Sequence, residues 1–215
     1  MIYKIDPRRT ALLVIDVQKE YFKANGPAYI PASKKVLPNI LQAIDIARKN
    51  QILVIYIQHV NRADGSDIGR MADFGSPDDE KSFVEGTPEV DLVAELSPVA
   101  GEVTVQKRRY SSFAGTDLES VLRTKDINTV IISGYMTSFC CETTARDAHS
   151  RDYRVLFLAD ANEGPDLTNV AGDVVPHDAV LNSTLTALAA GFAEIVTIAD
   201  LNARLTDKAK KGRAR

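Results

Sequence analysis

Short, mostly apolar runs alternate along the chain with longer stretches whose apolar residues recur every three or four positions. The runs at 10–16, 52–58, 102–106, 129–133, 154–159 and 194–198 predict strands buried on both faces. Between the first two, 33–50 predicts a helix with Val36, Leu37, Ile40, Leu41, Ile44 and Ala47 on one side. Further helices are predicted over 138–152 and over 177–190, the latter striped by Val180, Leu181, Thr184, Leu185 and Leu188. Another opens at Thr116, where Glu119 three residues on predicts a capping box.

Buried strands separated by helices predict an α/β fold: one domain, three layers (α-β-α), with a six-stranded parallel sheet that is doubly wound and Rossmann-like. Ligands of such sheets bind outside the carboxyl ends of the strands, where strand order reverses. Functional residues are therefore expected just after the first, third and fourth strands. The stretch 60–100 breaks the alternation with Gly65, Gly69, Gly75, Gly86, Pro77, Pro88 and Pro98. A loop of that length in a compact domain is expected to be a lid or an interface. The domain is expected over 1–207, with 208–215 as a solvated basic tail.

Composition narrows the function classes. With 215 residues, 45% of them hydrophobic and 26% charged, the chain suits a globular domain with its own core. A net charge of −3 offers no basic excess for nucleic acid or an anionic membrane surface. No apolar run approaches the ~20 residues needed to cross a bilayer. The first residues lack the charged start, apolar stretch and small-residue site of a signal peptide. The two cysteines, Cys140 and Cys141, are adjacent and form no disulfide framework. A cytoplasmic protein acting on a small molecule is expected.

Three polar residues stand at strand ends: Asp16, Lys107 and Cys140. Their chemistry is complementary. A free thiol ionises near a pKa of about 8.5, and a helix N-terminus and a nearby ammonium both favour the thiolate. A close carboxylate can take the thiol proton and later hand it to a leaving amine. Each residue also has a plain structural reading: a small buried hydrophobe, a turn cap and a solvated charge run. Their joint placement favours the chemical one. His149, nine residues past Cys140, lies about 180° around the predicted helix with about 13 Å of rise, out of reach of the thiol. His59 ends the second strand and is expected near the rim, against substrate or behind the reacting groups. His177 is expected to begin a surface helix. No pair of His or Cys residues has metal-ligand spacing, so neither metal nor cofactor is expected.

At these residues the chain resembles the isochorismatase-like cysteine hydrolases, over about residues 8 to 200. That group includes nicotinamidases, N-carbamoylsarcosine amidases, ureido-compound amidohydrolases and isochorismatases. Three motifs carry the resemblance: Ala-Leu-Leu-Val-Ile-Asp-Val-Gln-Lys-Glu-Tyr-Phe at 11–22, the stretch 106–118 opening Gln-Lys-Arg-Arg-Tyr, and the stretch 134–148 opening Gly-Tyr-Met-Thr-Ser-Phe-Cys-Cys. It implies Asp16, Lys107 and Cys140 as catalytic residues and a homodimer or homotetramer. It also implies a cis peptide at Tyr135–Met136 that aims the N–H groups of Met136 and Cys140 at a substrate oxygen. Phe22, Phe113, Tyr135 and Phe139 follow as pocket walls. Isochorismatases resemble this stretch but carry glycine where Cys140 stands. Nicotinamidases bind a metal after strand two, where this chain lacks their second histidine. The resemblance thus implies hydrolysis of a C–N bond (amide, ureido or lactam) through a thioester. The alternatives are a vinyl ether hydrolase with Asp16 as general acid and a non-catalytic binding module.

Overall fold

The computed structural model describes residues 3–74 and 82–212. Gly75, Pro77 and the last three residues of the basic tail lie outside them. In chain order the elements are β1 (Thr10–Ile15), α1 (Ser33–Lys49), β2 (Leu53–His59), β3 (Val103–Lys107), α2 (Leu118–Thr124), β4 (Thr129–Tyr135), α3 (Glu142–Ser150), β5 (Arg154–Glu163), β6 (Leu167–Thr168), β7 (Val174–Val175), α4 (His177–Gly191), β8 (Glu194–Val196) and α5 (Ile198–Gly212). The main sheet has six strands in the order β3-β2-β1-β4-β5-β8, all parallel, while β6 and β7 form a separate antiparallel hairpin. The expected architecture is present. The chain builds outward from β1 to β3, then returns to lay β4 against the other side of β1, so strand order reverses between β1 and β4.

Two apolar layers cover the sheet. On one face Leu12, Val14 and Tyr56 pack beneath α1 and α5, through Ile40, Ile44, Leu201 and Leu205. On the other, Leu13, Ile15, Ile57 and Val105 pack beneath α2, α3 and α4, through Leu122, Ala145 and Leu188. Residues alternating along each strand therefore serve opposite layers, and both layers are apolar, which is why the central strands read as largely apolar runs. Among the described residues no helix is long and apolar enough to cross a membrane.

Local chemistry corrects two sequence expectations. The capping box falls at Thr197 rather than Thr116. The Thr197 hydroxyl accepts from Asp200 N at 3.1 Å, and the Asp200 carboxylate accepts from Thr197 N at 3.1 Å. That reciprocal cap ends β8 at Val196 and starts α5 at Ile198, inside the run predicted as strand. Thr116 instead donates to the Ser112 carbonyl and accepts from Leu118 N, and Glu119 turns to Arg123 and Arg151. Helix α5 runs on past Lys208 as far as Gly212.

Candidate active site

Asp16 follows the last residue of β1 with a φ of +52°. Strict alternation would aim it at the layer of Leu12 and Val14. The left-handed turn ends the strand, a conformation an aspartate tolerates better than a bulky or branched residue. Its carboxylate instead meets Lys107, whose strand neighbour Val105 packs in the opposite layer. Lys107 is the final residue of β3, two strands from β1, and its long side chain crosses the end of β2 to get there.

The third residue arrives by way of Gly134. This glycine pairs with Ile15 at a φ of +129°, and a Cβ there would sit 2.0 Å from the Ile15 carbonyl oxygen. Only glycine lets β4 run that close to the end of β1. The chain then passes a cis Tyr135–Met136 peptide into a π-helical turn, Thr137–Cys141, that leads into α3. The Met136 carbonyl accepts from Phe139 N at 3.1 Å and Cys141 N at 3.2 Å. Single π turns of this kind recur at functional sites, and this one carries Cys140. Gly134→Ala is accordingly expected to cost about 1–3 kcal/mol of stability through overpacking, with a further loss of any activity that needs Asp16 beside Cys140. Thermal denaturation read alongside turnover checks it.

The convergence is tight. Lys107 Nζ lies 2.8 Å from Asp16 Oδ2, 3.2 Å from Cys140 Sγ and 3.4 Å from His59 Nδ1. Asp16 and Lys107 have no solvent exposure and Cys140 has 3%. Burial raises the Asp16 carboxyl above its ordinary range, and the Lys107 ammonium offsets part of that rise. Burial also works to lower the Lys107 pKa, but the charge of Asp16 and the nearby sulfur outweigh it and hold the lysine protonated. The Cys140 thiol is pushed up to about 12, by burial first and then by the Asp16 charge, against the pull of the ammonium. Desolvation exceeds what the ammonium returns, so the thiol proton needs an acceptor when sulfur reacts. Burial thus disfavours the charged forms of both Asp16 and Cys140, and the Lys107 ammonium between them offsets part of that cost.

Cys140 opens onto a cavity of about 260 Å³. Tyr21, Tyr29 and Ile30 form part of the wall after β1, and Asn61, Ile68, Met71, Ser82 and Phe83 come from the long loop. His59, Tyr110, Met136 and Pro165 complete the lining near Cys140. The four aromatics named from sequence stand elsewhere. Phe113 is buried in the layer beneath α2 and α3, against Tyr153 and under the Arg151 guanidinium. Tyr135 is fully buried and donates its hydroxyl to the Ser33 carbonyl. Phe22 packs edge-on against Tyr135, and Tyr135 backs onto Tyr21 at 5.5 Å between rings. Phe139 packs on Tyr110 at 5.7 Å. Two of the four, Tyr135 and Phe139, thus support an aromatic that does line the cavity.

The histidines divide as follows. His149 packs edge-on against Phe192. His177 begins α4 but is buried, with Nε2 2.7 Å from the Glu163 carboxylate at the end of β5, which corrects the expected surface position. His59 lines the cavity. Among the described residues no group of three or more His, Cys, Asp or Glu side chains is placed to hold a metal ion. Sequence reasoning missed Gln18, whose side chain accepts from His59 N and donates to the His59 and Val90 carbonyls, tying β1, β2 and the long loop together. A polar residue two positions past a strand-end aspartate was the available signal.

The chain is similar to known proteins over nearly its whole length. The isochorismatase domain model matches residues 10–200. Nicotinamidase 3 of Arabidopsis thaliana is 32% identical over 200 residues, covering 90% of this chain and 88% of that protein. The ureidoacrylate amidohydrolase RutB of Serratia proteamaculans is 34% identical over 188 residues, covering 77% and 75%. The crystal structure of a cysteine hydrolase from Pseudomonas syringae pv. phaseolicola superposes with a TM-score of 0.91 at 37% identity, over 96% of each chain. With a matched domain spanning the whole sheet and relatives of this coverage, the chain belongs to the isochorismatase family of hydrolases.

Proposed function

We propose that this protein hydrolyses a C–N bond of a small amide, ureido compound or lactam, with Cys140 as nucleophile. One observation carries the reading: a buried ammonium lies within 3.2 Å of a thiol and 2.8 Å of a carboxylate, and the thiol faces a cavity. The amide-cleaving activities named for the plant and bacterial relatives support the bond type.

In the first half-reaction the Cys140 proton passes to Asp16 as sulfur attacks the carbonyl carbon, so no free thiolate accumulates. Lys107 offsets the charge developing on sulfur. The amides of Phe139 and Cys141 are already committed to the Met136 carbonyl, and the N–H groups of Met136 and Cys140 take the oxyanion. The tetrahedral adduct collapses, the C–N bond breaks, and Asp16 returns the proton to the leaving nitrogen. Water then attacks the thioester with Asp16 as base, the C–S bond breaks, and the proton returns to Cys140. Oxyanion hydrogen bonds of this type contribute about 3–4 kcal/mol of barrier lowering.

Because Asp16 must be ionised to receive the proton, kcat/KM is expected to rise with pH through a single ionisation above the usual aspartate value. A panel of small amides, ureides and lactams, assayed for ammonia or amine release across pH, measures both points. Release from none of them, with an intact fold, would count against the proposal.

A further inference from the structure

A buried ammonium has three N–H donors, and each needs an acceptor. Two of those on Lys107 face Asp16 and Cys140, and the third faces His59 Nδ1 at 3.4 Å. That nitrogen must then be the unprotonated one. The other ring nitrogen, Nε2, lies 3.1 Å from Asn61 Oδ1. The orientation of Asn61 is set in turn by its Nδ2, which donates to the Ser82 carbonyl at 3.1 Å. The directions agree along the whole line: carbonyl of Ser82, amide of Asn61, Nε2–H of His59, lone pair of Nδ1, ammonium of Lys107.

We infer that His59 and Asn61 are positioning residues that hold the Lys107 ammonium in register with Asp16 and Cys140, and that His59 does so as the neutral Nε2–H tautomer. Topology requires something in this place, because Lys107 reaches Asp16 only by crossing the end of β2, where His59 is its register partner. The surroundings keep the ring neutral. Burial first, and then the Lys107 charge, push the imidazole down to about 3. Of the other charges near it, Arg108 works in the same direction and Asp67 against, and those two are paired with each other at 3.0 Å. Asp16 and the Cys140 thiol face the ring only across the ammonium they share with it. The far end of the line is anchored to the loop that walls the cavity. Asn61 N donates to the Phe83 carbonyl, Glu85 N donates to the Asn61 carbonyl, and the Phe83 ring meets the His59 ring edge-on. The inferred role of the 82–85 segment is thus to complete the site by ordering the lysine as well as to wall the cavity.

The test has two arms, and only the second rests on the amidase reading. In the first, long-range proton–nitrogen correlation spectra of the whole 15N-labelled protein report the His59 ring, assigned by the loss of its signals in His59→Asn. The expected pattern is a neutral ring protonated at Nε2, unchanged between about pH 5 and pH 9. A ring protonated at Nδ1, or an imidazolium in that interval, overturns the inference whatever reaction the protein performs. In the second, His59→Asn puts a carboxamide oxygen near the Nδ1 position, whereas His59→Gln extends past it and His59→Leu offers no acceptor. The asparagine variant is expected to exceed the other two by roughly ten- to hundred-fold, in kcat rather than KM. Equal losses in all three would mean the ring only fills space, and would overturn the positioning role.

Discussion

Cys140→Ala is expected to lower kcat for C–N hydrolysis by at least about 10⁴-fold, the loss typical when a covalent nucleophile is removed. Among the described residues, the substitution takes away the one thiol lining the cavity while leaving the rest of the site in place. Asp16 and Lys107 keep their 2.8 Å ion pair, and the aromatic lining is untouched. Stability should change by only about 1 kcal/mol, since a single small side-chain group is lost. Substrate should still bind. The measurement is therefore single-turnover kinetics together with equilibrium binding on the same variant. The result also separates two chemistries: near-normal turnover without the sulfur would transfer the reaction to Asp16 acting as a general acid, as in vinyl ether hydrolysis.

Breaking the buried ion pair should produce two variants with opposite pH signatures. Asp16→Asn leaves the Lys107 ammonium without a counter-charge in a site with no solvent access, at a cost of about 3–5 kcal/mol. Desolvation, no longer outweighed, would depress the lysine pKa below its unfolded value. The unfolded state then binds more protons, so this variant gains stability as pH rises and loses it as pH falls. Lys107→Met strands the carboxylate instead. The Asp16 pKa, already raised by burial, loses the ammonium that holds it down and climbs further. Its folded state binds more protons than the unfolded one, so stability is present at low pH and lost as pH rises through the elevated value. Activity follows the same logic: in Lys107→Met the acid limb of kcat/KM should move to higher pH, because a protonated Asp16 cannot accept the thiol proton. In Asp16→Asn turnover should fall by about 10³-fold or more at every pH. Denaturation midpoints and pH–rate profiles for both variants would reveal the paired slopes; parallel slopes would show that the two charges do not interact.

The parts of this molecule that were legible in the sequence are those imposed by periodicity. Strands buried on both faces leave largely apolar runs, and these announced the sheet, although the edge strand β3 alternates and exposes Thr104 and Gln106. The strand-end rule then singled out Asp16, Lys107 and Cys140, because a carboxylate, an ammonium and a thiol ending apolar strands have few structural reasons to be there. What the sequence hid depends on partners far along the chain. The thiol pKa follows burial, which no local pattern reports. The pocket aromatics are displaced from their expected positions because Tyr21, not Phe22, faces the cavity from its short turn, and Phe139 backs onto Tyr110. Helix α5 was hidden for another reason: Thr197 and Asp200 cap it inside a stretch apolar enough to read as strand. His177 looked like a surface residue because its partner, Glu163, sits at the end of another element.

The central claim is that sulfur, ammonium and carboxylate act together at the reversal point of the sheet to form an acyl-enzyme. Intact-mass and peptide-mass analysis of protein quenched in acid during turnover examines this most directly. The account predicts an added acyl mass on the peptide holding Cys140, absent in Cys140→Ala and decaying as product forms. Sustained turnover with that peptide unmodified, and the same turnover in Cys140→Ala, would contradict it.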